Sequence, residues 1–168
     1  VAAMLTEGAG ERSATQFADA LEDLGAQLNA RVTADTTLIS LSVLPERYGE
    51  ASELLADAVL RPKFGAADWQ RTRGELLAQL AQLRDEPRYN AEQALLAGLY
   101  GEAHPYGRSI YGEDASLLQL QAGELSQFHH TYYGHPTLVV VGNVELSAAS
   151  AQRLSDPLAR RLATSTTW

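Results

Sequence analysis

Three of the chain's four histidines lie close together, in the stretch FHHTYYGH at positions 128–135. Imidazole nitrogens are common zinc ligands, so this group could in principle bind a metal. The spacing argues against it, because the adjacent His129 and His130 point about 100° apart on a helix and His135 follows Gly134, where a helix would stop. Imidazoles in a last helical turn also complement the negative end of the helix dipole. We therefore interpret the group as structural and expect no metal there.

Adjacent carboxylates are the next candidates, since paired acids can perform acid–base chemistry. Neighbouring side chains diverge on a helix and do not reach one substrate atom, so we interpret such pairs as solvated faces or helix caps. His104, which precedes Pro105, is interpreted as loop scaffolding, and no motif places a serine beside a histidine and an acid. The pairs are Glu22-Asp23, Asp85-Glu86 and Glu113-Asp114.

Composition narrows the classes of function further. The 168 residues are 45% hydrophobic, which suits one globular domain with a core of its own. The formal net charge of −8 repels phosphate backbones, so we expect no nucleic-acid partner. The absence of cysteine excludes disulfides and thiolate chemistry. No apolar run is long enough to cross a bilayer, so we expect no membrane insertion.

The first part of the sequence predicts helical turns followed by a hairpin. VAAMLTEGAG, at positions 1–10, is typical of the closing turns of a helix that starts outside the sequence. A short helix follows, from the N-cap Ser13 to Gly25. In AQLNARVTADTTLISLSVL, apolar residues then alternate at period two around a polar turn at 33–35, which predicts a β-hairpin.

The rest of the sequence predicts mainly helices. Apolar periodicity, prolines and glycines indicate a helix between Pro45 and Arg61, a longer one from Asp68 closed by Pro87, and others over 89–100 and 124–133. GEAHPYGRSIYGED is typical of a surface loop, and TLVVVGNV of a buried strand. An amphipathic helix over 147–162 and a linker, ATSTTW, complete the chain.

This order of elements predicts an α+β fold in which helices pack on one face of a mostly antiparallel sheet. A doubly wound sheet is not supported, because strands and helices do not alternate regularly. In the second hairpin strand, one face would carry Ile39, Leu41 and Val43, and the other Leu38, Ser40 and Ser42.

Several stretches together resemble, in order and spacing, one domain of the insulinase/pitrilysin family of zinc metallopeptidases. They are MLTEGAGERSATQFADALEDLGAQLNARVTADTTLISLSVL, AVLRPKF, LAQLAQLRDEP, HPYGRSIYG and FHHTYYGHPTLVVVGNV. The resemblance spans nearly the whole chain. It lies in the succession of elements, because no single motif among them would suffice.

The resemblance also implies which residues stand at the family's metal site. Active members carry H-x-x-E-H, then a Met-Leu-like pair and a glycine, with a further zinc-ligand glutamate on the long helix. Met4-Leu5 and Gly8 match the residues after that motif, so its glutamate falls on Ala2 and its second histidine on Ala3. The distal glutamate falls on or beside Gln79. Alanine can neither bind zinc nor act as a base, and glutamine offers only a neutral amide oxygen.

The resemblance therefore implies a non-catalytic half of a peptidase assembly, with no catalytic, metal-binding or cofactor-binding residue of its own. Such a half would contribute chamber wall, contacts with unfolded peptide substrate, and docking to a catalytic half, fused or separate, which alone would hold zinc. We expect residues 1–162 to form the inactive peptidase-like domain and 163–168 a linker towards a second domain. The resemblance leaves the compartment open and favours a bacterial periplasm over the cytoplasm.

Two other interpretations remain. The chain could be a purely structural core subunit of a larger complex, as some relatives are, where the fold serves only as a scaffold. It could also be an active enzyme to which the motif has been assigned in a shifted register. The second alternative requires an H-x-x-E-H string, and the sequence contains none.

Overall fold

The computed structural model describes residues 1–133 and, beyond them, the single positions 137, 139 and 141. Within this part, a short 3-10 turn over Ala2–Met4 is followed by a helix, a β-hairpin and five more helices. The predicted α+β class is confirmed. The expected strand TLVVVGNV falls largely outside the described residues, and the expected helix over 147–162 and linker 163–168 fall wholly outside them.

The first helix, α1, spans Ala14–Asp23 and has the boundaries that its sequence signals predict. Ser13 and Gln16 form a capping box, in which each side chain accepts a hydrogen bond from the backbone N–H of the other. Gly25 follows the helix with φ +60°, a left-handed conformation that glycine adopts without steric cost. Ala26 N–H then bonds to the Leu21 carbonyl, as in a Schellman motif, so the chain turns sharply into the hairpin.

The predicted hairpin is present. Strand β1, Gln27–Val32, pairs antiparallel with β2, Thr37–Ser42, in a register that sets Leu28 opposite Leu41 and Ala30 opposite Ile39. Burial alternates along β2: Ile39 and Leu41 are half-buried, whereas Leu38 is 60% exposed. The predicted assignment of the two faces is therefore confirmed for β2.

Five further helices account for most of the remaining described chain. Pro87, predicted to close the long helix, instead occupies the first turn of the next one, where its missing N–H costs nothing. A short helix that no sequence pattern predicted follows the HPYG loop. The helices are α2 (Tyr48–Leu60), α3 (Ala66–Arg84), α4 (Pro87–Tyr100), α5 (Asp114–Gln119) and α6 (Ala122–Tyr132).

One core cluster encloses the first turn of the chain. Met4 and Leu5 are fully buried against Phe64, Trp69 and Leu125, which come from the α2–α3 connection, α3 and α6. The half-buried Ala30 and Ile39 of the hairpin pack on the same cluster. Trp69 also donates its indole N–H to the Leu120 carbonyl at 2.9 Å, so its buried polar atom is satisfied.

A second cluster lies between α1, α2 and the hairpin. Phe17, Leu54 and Ala58 form it together with Ala9, and Leu28 of β1 packs against them. The two clusters bury opposite ends of one apolar surface of the hairpin, Leu28 on one and Ala30 with Ile39 on the other. Helices thus cover this face of the hairpin.

A buried carboxylate fixes the segment that joins the first turn to α1. Asp57 of α2 has a side chain only 6% exposed and binds Arg61 at 2.7 Å and Arg12 at 3.4 Å. Gly10, with φ +57°, lies so close that an added Cβ would stand 2.6 Å from Asp57 Oδ2. Gly10 N–H also bonds to the Arg61 carbonyl at 2.9 Å, which ties the N-terminal segment to the end of α2.

A negative charge should have a large effect on stability on one face of β2 and a small effect on the other. Leu41→Asp would place a carboxylate on the face covered by the helices and should cost about 2 kcal/mol or more, whereas Leu38→Asp should stay within about 0.5 kcal/mol. Thermal unfolding of the two variants beside the native chain measures the difference. Equal losses would mean that both faces of β2 are core.

Candidate functional site

The positions that the resemblance assigns to a metal motif lie in the buried first turn. Ala2 and Ala3 belong to the 3-10 turn, which is closed by hydrogen bonds from Met4 N–H to the Val1 carbonyl at 2.8 Å and from Leu5 N–H to the Ala2 carbonyl at 3.1 Å. Ala2 is buried and Ala3 is exposed. Packing of Met4 and Leu5 therefore fixes the backbone of this turn.

Gln79, the third assigned position, lies on α3, the helix that packs against this turn. Its neighbour Leu80 is buried and Leu76 packs on the cluster that holds Met4, while the Gln79 side chain is exposed. The structure thus puts the helix of Gln79 against the turn of Ala2 and Ala3. It does not bring their side chains into a polar constellation.

These residues do not fit a zinc ion. A catalytic zinc site needs three protein ligands besides its water, and alanine has no lone pair to donate. Over residues 1–133, the structure has no group of three or more His, Cys, Asp or Glu side chains that could hold a metal. Neither metal binding nor activation of water can be derived from this turn.

The histidine pair of α6 has a structural environment. His129 lies in the last turn, with its Nε2 2.8 Å from the Val59 carbonyl. Its ring stacks on Tyr133 at 4.9 Å and meets Phe64 edge-on at 5.5 Å. His130 is exposed, and His135 lies outside the described residues. The structural interpretation of His129 therefore agrees with its contacts.

Burial lowers the pKa of His129 below the ordinary histidine value, and the neighbouring His130 acts in the same direction. The hydrogen bond to Val59 opposes this effect. Tyr133, on which the imidazole stacks, bonds through its hydroxyl to Thr37 of β2 at 3.0 Å. A neutral His129 is thus part of the contact between the end of α6 and the hairpin.

His104 and Asp114, which belongs to one of the acid pairs, make structural contacts. His104 Nδ1 accepts the Tyr106 N–H at 3.1 Å and caps the 3-10 turn over Pro105–Gly107. Asp114 makes a bidentate ion pair with Arg84 at 2.6 and 3.0 Å, and Glu86 precedes α4 as its N-cap residue.

A cleft that the sequence interpretation missed lies beside the HPYG loop. The turn of the hairpin, the end of α3, α4 and residues 106–111 enclose a volume of about 650 Å³. Four tyrosines line this cleft: Tyr89, Tyr100, Tyr106 and Tyr111. The available signal was their density, because four of the seven tyrosines fall within positions 89–111. We call this site the tyrosine cleft.

Hydrogen bonds hold two of these rings in place. The Tyr106 hydroxyl donates to Asp35 at the hairpin turn at 2.6 Å, and this bond raises the pKa of Tyr106. Tyr89 bonds to Ser109 through the two hydroxyls at 2.8 Å. The loop after α4 is thereby tied to both the hairpin and α4.

Among the described helices, none is long and apolar enough to cross a membrane.

Comparison with protein families places this architecture among peptidases. The family model for insulinase, peptidase family M16, matches residues 1–114. An uncharacterized zinc protease of Mycobacterium tuberculosis is 31% identical over 144 residues, which are 84% of this chain and 33% of that protein. The beta subunit of the human mitochondrial-processing peptidase is 24% identical over 140 residues, 82% of this chain and 28% of that subunit. The chain thus spans about a third of the length of these relatives.

Solved structures share the fold. The inactive domain of a peptidase M16 from Pseudomonas fluorescens superposes with a TM-score of 0.79 at 26% identity, over 95% of this chain and 39% of that one. The periplasmic protease PqqL of Escherichia coli has the same TM-score at 17% identity, over 95% of this chain and 18% of that one.

The donor set predicts that the chain holds no zinc. After dialysis against buffer with trace zinc, metal analysis should find well under one zinc per chain, because Ala2, Ala3 and Gln79 supply no anionic or imidazole ligand. His130→Gln is the control for the α6 pair and should leave the result unchanged. One tightly held zinc per chain would contradict the expectation.

The environment of His129 predicts a loss of stability in acid. Its pKa is lowered in the folded chain, so its contribution is fully present above the ordinary value of 6.5 and is lost as pH falls below that value. Between about pH 7 and pH 5, the unfolding midpoint of the native chain should fall more steeply than that of His129→Gln.

The exposed His130 on the same helix offers a matched control for this measurement. His130→Gln should keep most of the native slope, because its ring is exposed. Parallel slopes for the native chain and His129→Gln would show that His129 does not carry the pH dependence.

Proposed function

The chain belongs to the insulinase family, peptidase family M16, and from this premise we propose that it is the non-catalytic half, or part of it, of a zinc peptidase assembly. In this role it contributes part of the wall of a chamber, a surface that contacts peptide and a surface that docks to a catalytic half. The zinc and the general base belong to that catalytic half. The chain itself cleaves no bond.

The single observation that carries the proposal is Ala2-Ala3 in the buried first turn. Two methyl groups stand where the family motif has its general base and a zinc ligand, and Gln79 replaces the distal carboxylate. Removal of two ligands leaves too few for a catalytic zinc, which needs three from the protein. The turn that carries the alanines is nevertheless held by the fully buried Met4 and Leu5, whose apolar packing does not depend on a metal.

The comparisons supply independent support. The Pseudomonas fluorescens structure, at 26% identity, is itself an inactive domain of a peptidase M16. The relatives are about three times as long as this chain, which leaves room in them for further domains. Two observations therefore support the role of a non-catalytic half. They are the residues at the first turn and the fraction of the relatives' length that the chain covers.

The outer face of the hairpin is the surface we assign to contact with peptide or with the catalytic half. Leu38 is 60% exposed on β2, and Leu44, just beyond β2, is 65% exposed. Both are large apolar side chains that cost free energy when left in water, and a peptide strand or a partner surface would cover them. Ser40 and Asn29 between them offer polar contacts at the same face.

The proposal predicts peptide binding without cleavage. A fluorescently labelled unstructured peptide should bind the native chain, less tightly after Leu38→Asp, and should stay intact in the presence of added zinc. Anisotropy measures the binding and mass spectrometry the integrity of the peptide. Chelator-sensitive cleavage would overturn the proposal, and absence of binding would favour a purely structural subunit.

A triple variant sharpens this test. Ala2→Glu, Ala3→His and Gln79→Glu together restore a base and two ligands, still short of the three that a catalytic zinc needs. The triple variant should therefore also leave the peptide intact. Cleavage by this variant alone would show that the described domain supplies the remaining ligand.

A further inference from the structure

The outer face of the hairpin carries a single charged side chain. The side chains of β1 and β2 alternate between the two faces, and those that point outward are all exposed. Among them, Arg31 is the charged residue and Leu38 is the large apolar residue. The other outward residues of the two strands are polar and uncharged: Gln27, Asn29, Ser40 and Ser42.

Arg31 and Leu38 lie directly opposite each other in the hairpin register, close to the turn. Directly opposite residues of antiparallel strands have Cβ atoms about 4.5–5.5 Å apart, so the two side chains share one patch of surface. Leu38 is 60% exposed, and Arg31 is exposed as well. This pair, which we call the outer-face site, therefore presents a cation beside an apolar side chain.

Arg31 differs from the other cations of the described chain in having no partner there. Six of the ten arginines and lysines in residues 1–133 pair with a carboxylate, and three others donate to backbone carbonyls. Arg31 makes neither kind of contact with the described residues. The six are Arg12, Arg47, Arg61, Arg71, Arg84 and Arg88, and the three are Lys63, Arg73 and Arg108.

The acid of the hairpin turn does not neutralise Arg31. Asp35 is the other charged residue between positions 27 and 42, and its carboxylate accepts the Tyr106 hydroxyl at 2.6 Å. The bond directs Asp35 towards the loop after α4. The guanidinium of Arg31 thus keeps its donors available for a carboxylate from outside the described chain.

The size of the outer face suits an extended segment better than a folded partner. Two strands of six residues form a surface about 20 Å long and about 10 Å wide. A stable interface between folded proteins buries about 800 Å² on each partner, several times this area. A single extended peptide strand, by contrast, matches the length and width of the described face.

We propose that the outer-face site binds an acidic side chain of an extended peptide together with an apolar side chain two positions away. Side chains at i and i+2 of an extended peptide point the same way and lie about 6.6 Å apart, so one can meet Arg31 while the other covers Leu38. The guanidinium fork matches the geometry of a carboxylate. The inference rests on the proposed function, from which it takes the peptide ligand and the outer face.

The test compares two labelled, unstructured peptides with a leucine and, two positions away, glutamate in one and glutamine in the other. At low ionic strength, the native chain should bind the glutamate peptide about two- to fivefold more tightly by fluorescence anisotropy. This preference should shrink at about 0.5 M NaCl, because salt screens exposed charges. Arg31→Gln should bind the two peptides equally, since it removes the cation and keeps a long polar side chain.

Arg88→Gln is the matched control for Arg31→Gln. It removes the same charge from an exposed arginine on α4, away from the hairpin, and should keep the native preference. Circular dichroism checks that each variant is folded.

The outcomes separate this inference from the proposed function. Equal binding of the two peptides by the native chain would overturn the acidic preference and leave the peptide contact of the proposed function intact. A preference that survives Arg31→Gln, or that Arg88→Gln abolishes as well, would also overturn the outer-face site. Absence of binding to either peptide would overturn both proposals.

Discussion

Burial of the first turn is the constraint on which the rest of the described structure depends. Met4 and Leu5 are fully enclosed, and they join the α2–α3 connection, α3, α6 and the hairpin in one cluster. Complete burial of such a side chain contributes about 1.5–3 kcal/mol each. Because the turn is short and its neighbours come from distant parts of the chain, its position sets the relative placement of those elements.

This constraint places the first turn by the apolar packing of its own residues. In a small domain held by zinc, loss of the ligands would unfold the chain. Here the turn that carries Ala2 and Ala3 is held by apolar packing, and the following segment is held by the buried Asp57 with Arg12 and Arg61. The packing that stabilises the first turn therefore does not involve the side chains at positions 2 and 3 as metal ligands. Substitution at these two positions need not disturb the fold.

The same scaffold leaves the hairpin accessible on one side and anchored on the other. Its inner face meets both core clusters, and its turn end is tied to two distant residues by single hydrogen bonds. Thr37 bonds to Tyr133 of the segment after α6, and Asp35 bonds to Tyr106 of the loop after α4. The hairpin is thus anchored on its inner face and at its turn, while the outer face that we assign to peptide or partner contact stays exposed.

Local patterns were sufficient for the elements that depend on neighbours in sequence. Ser13 and Gly25 marked the ends of α1, and alternation marked β2 and its faces. These features rest on capping, side-chain periodicity and the identity of single residues, all of which are local.

Other features depend on contacts between segments far apart in sequence, so no local pattern carries them. Phe64 adopts a left-handed backbone, φ +47°, which is unfavourable for a non-glycine residue and is compensated here by burial of its ring. Arg84, at the end of α3, makes its ion pair with Asp114, thirty residues later. The tyrosine cleft likewise forms only when the hairpin turn meets the loop after α4, since its lining residues lie on separate elements that packing alone brings together.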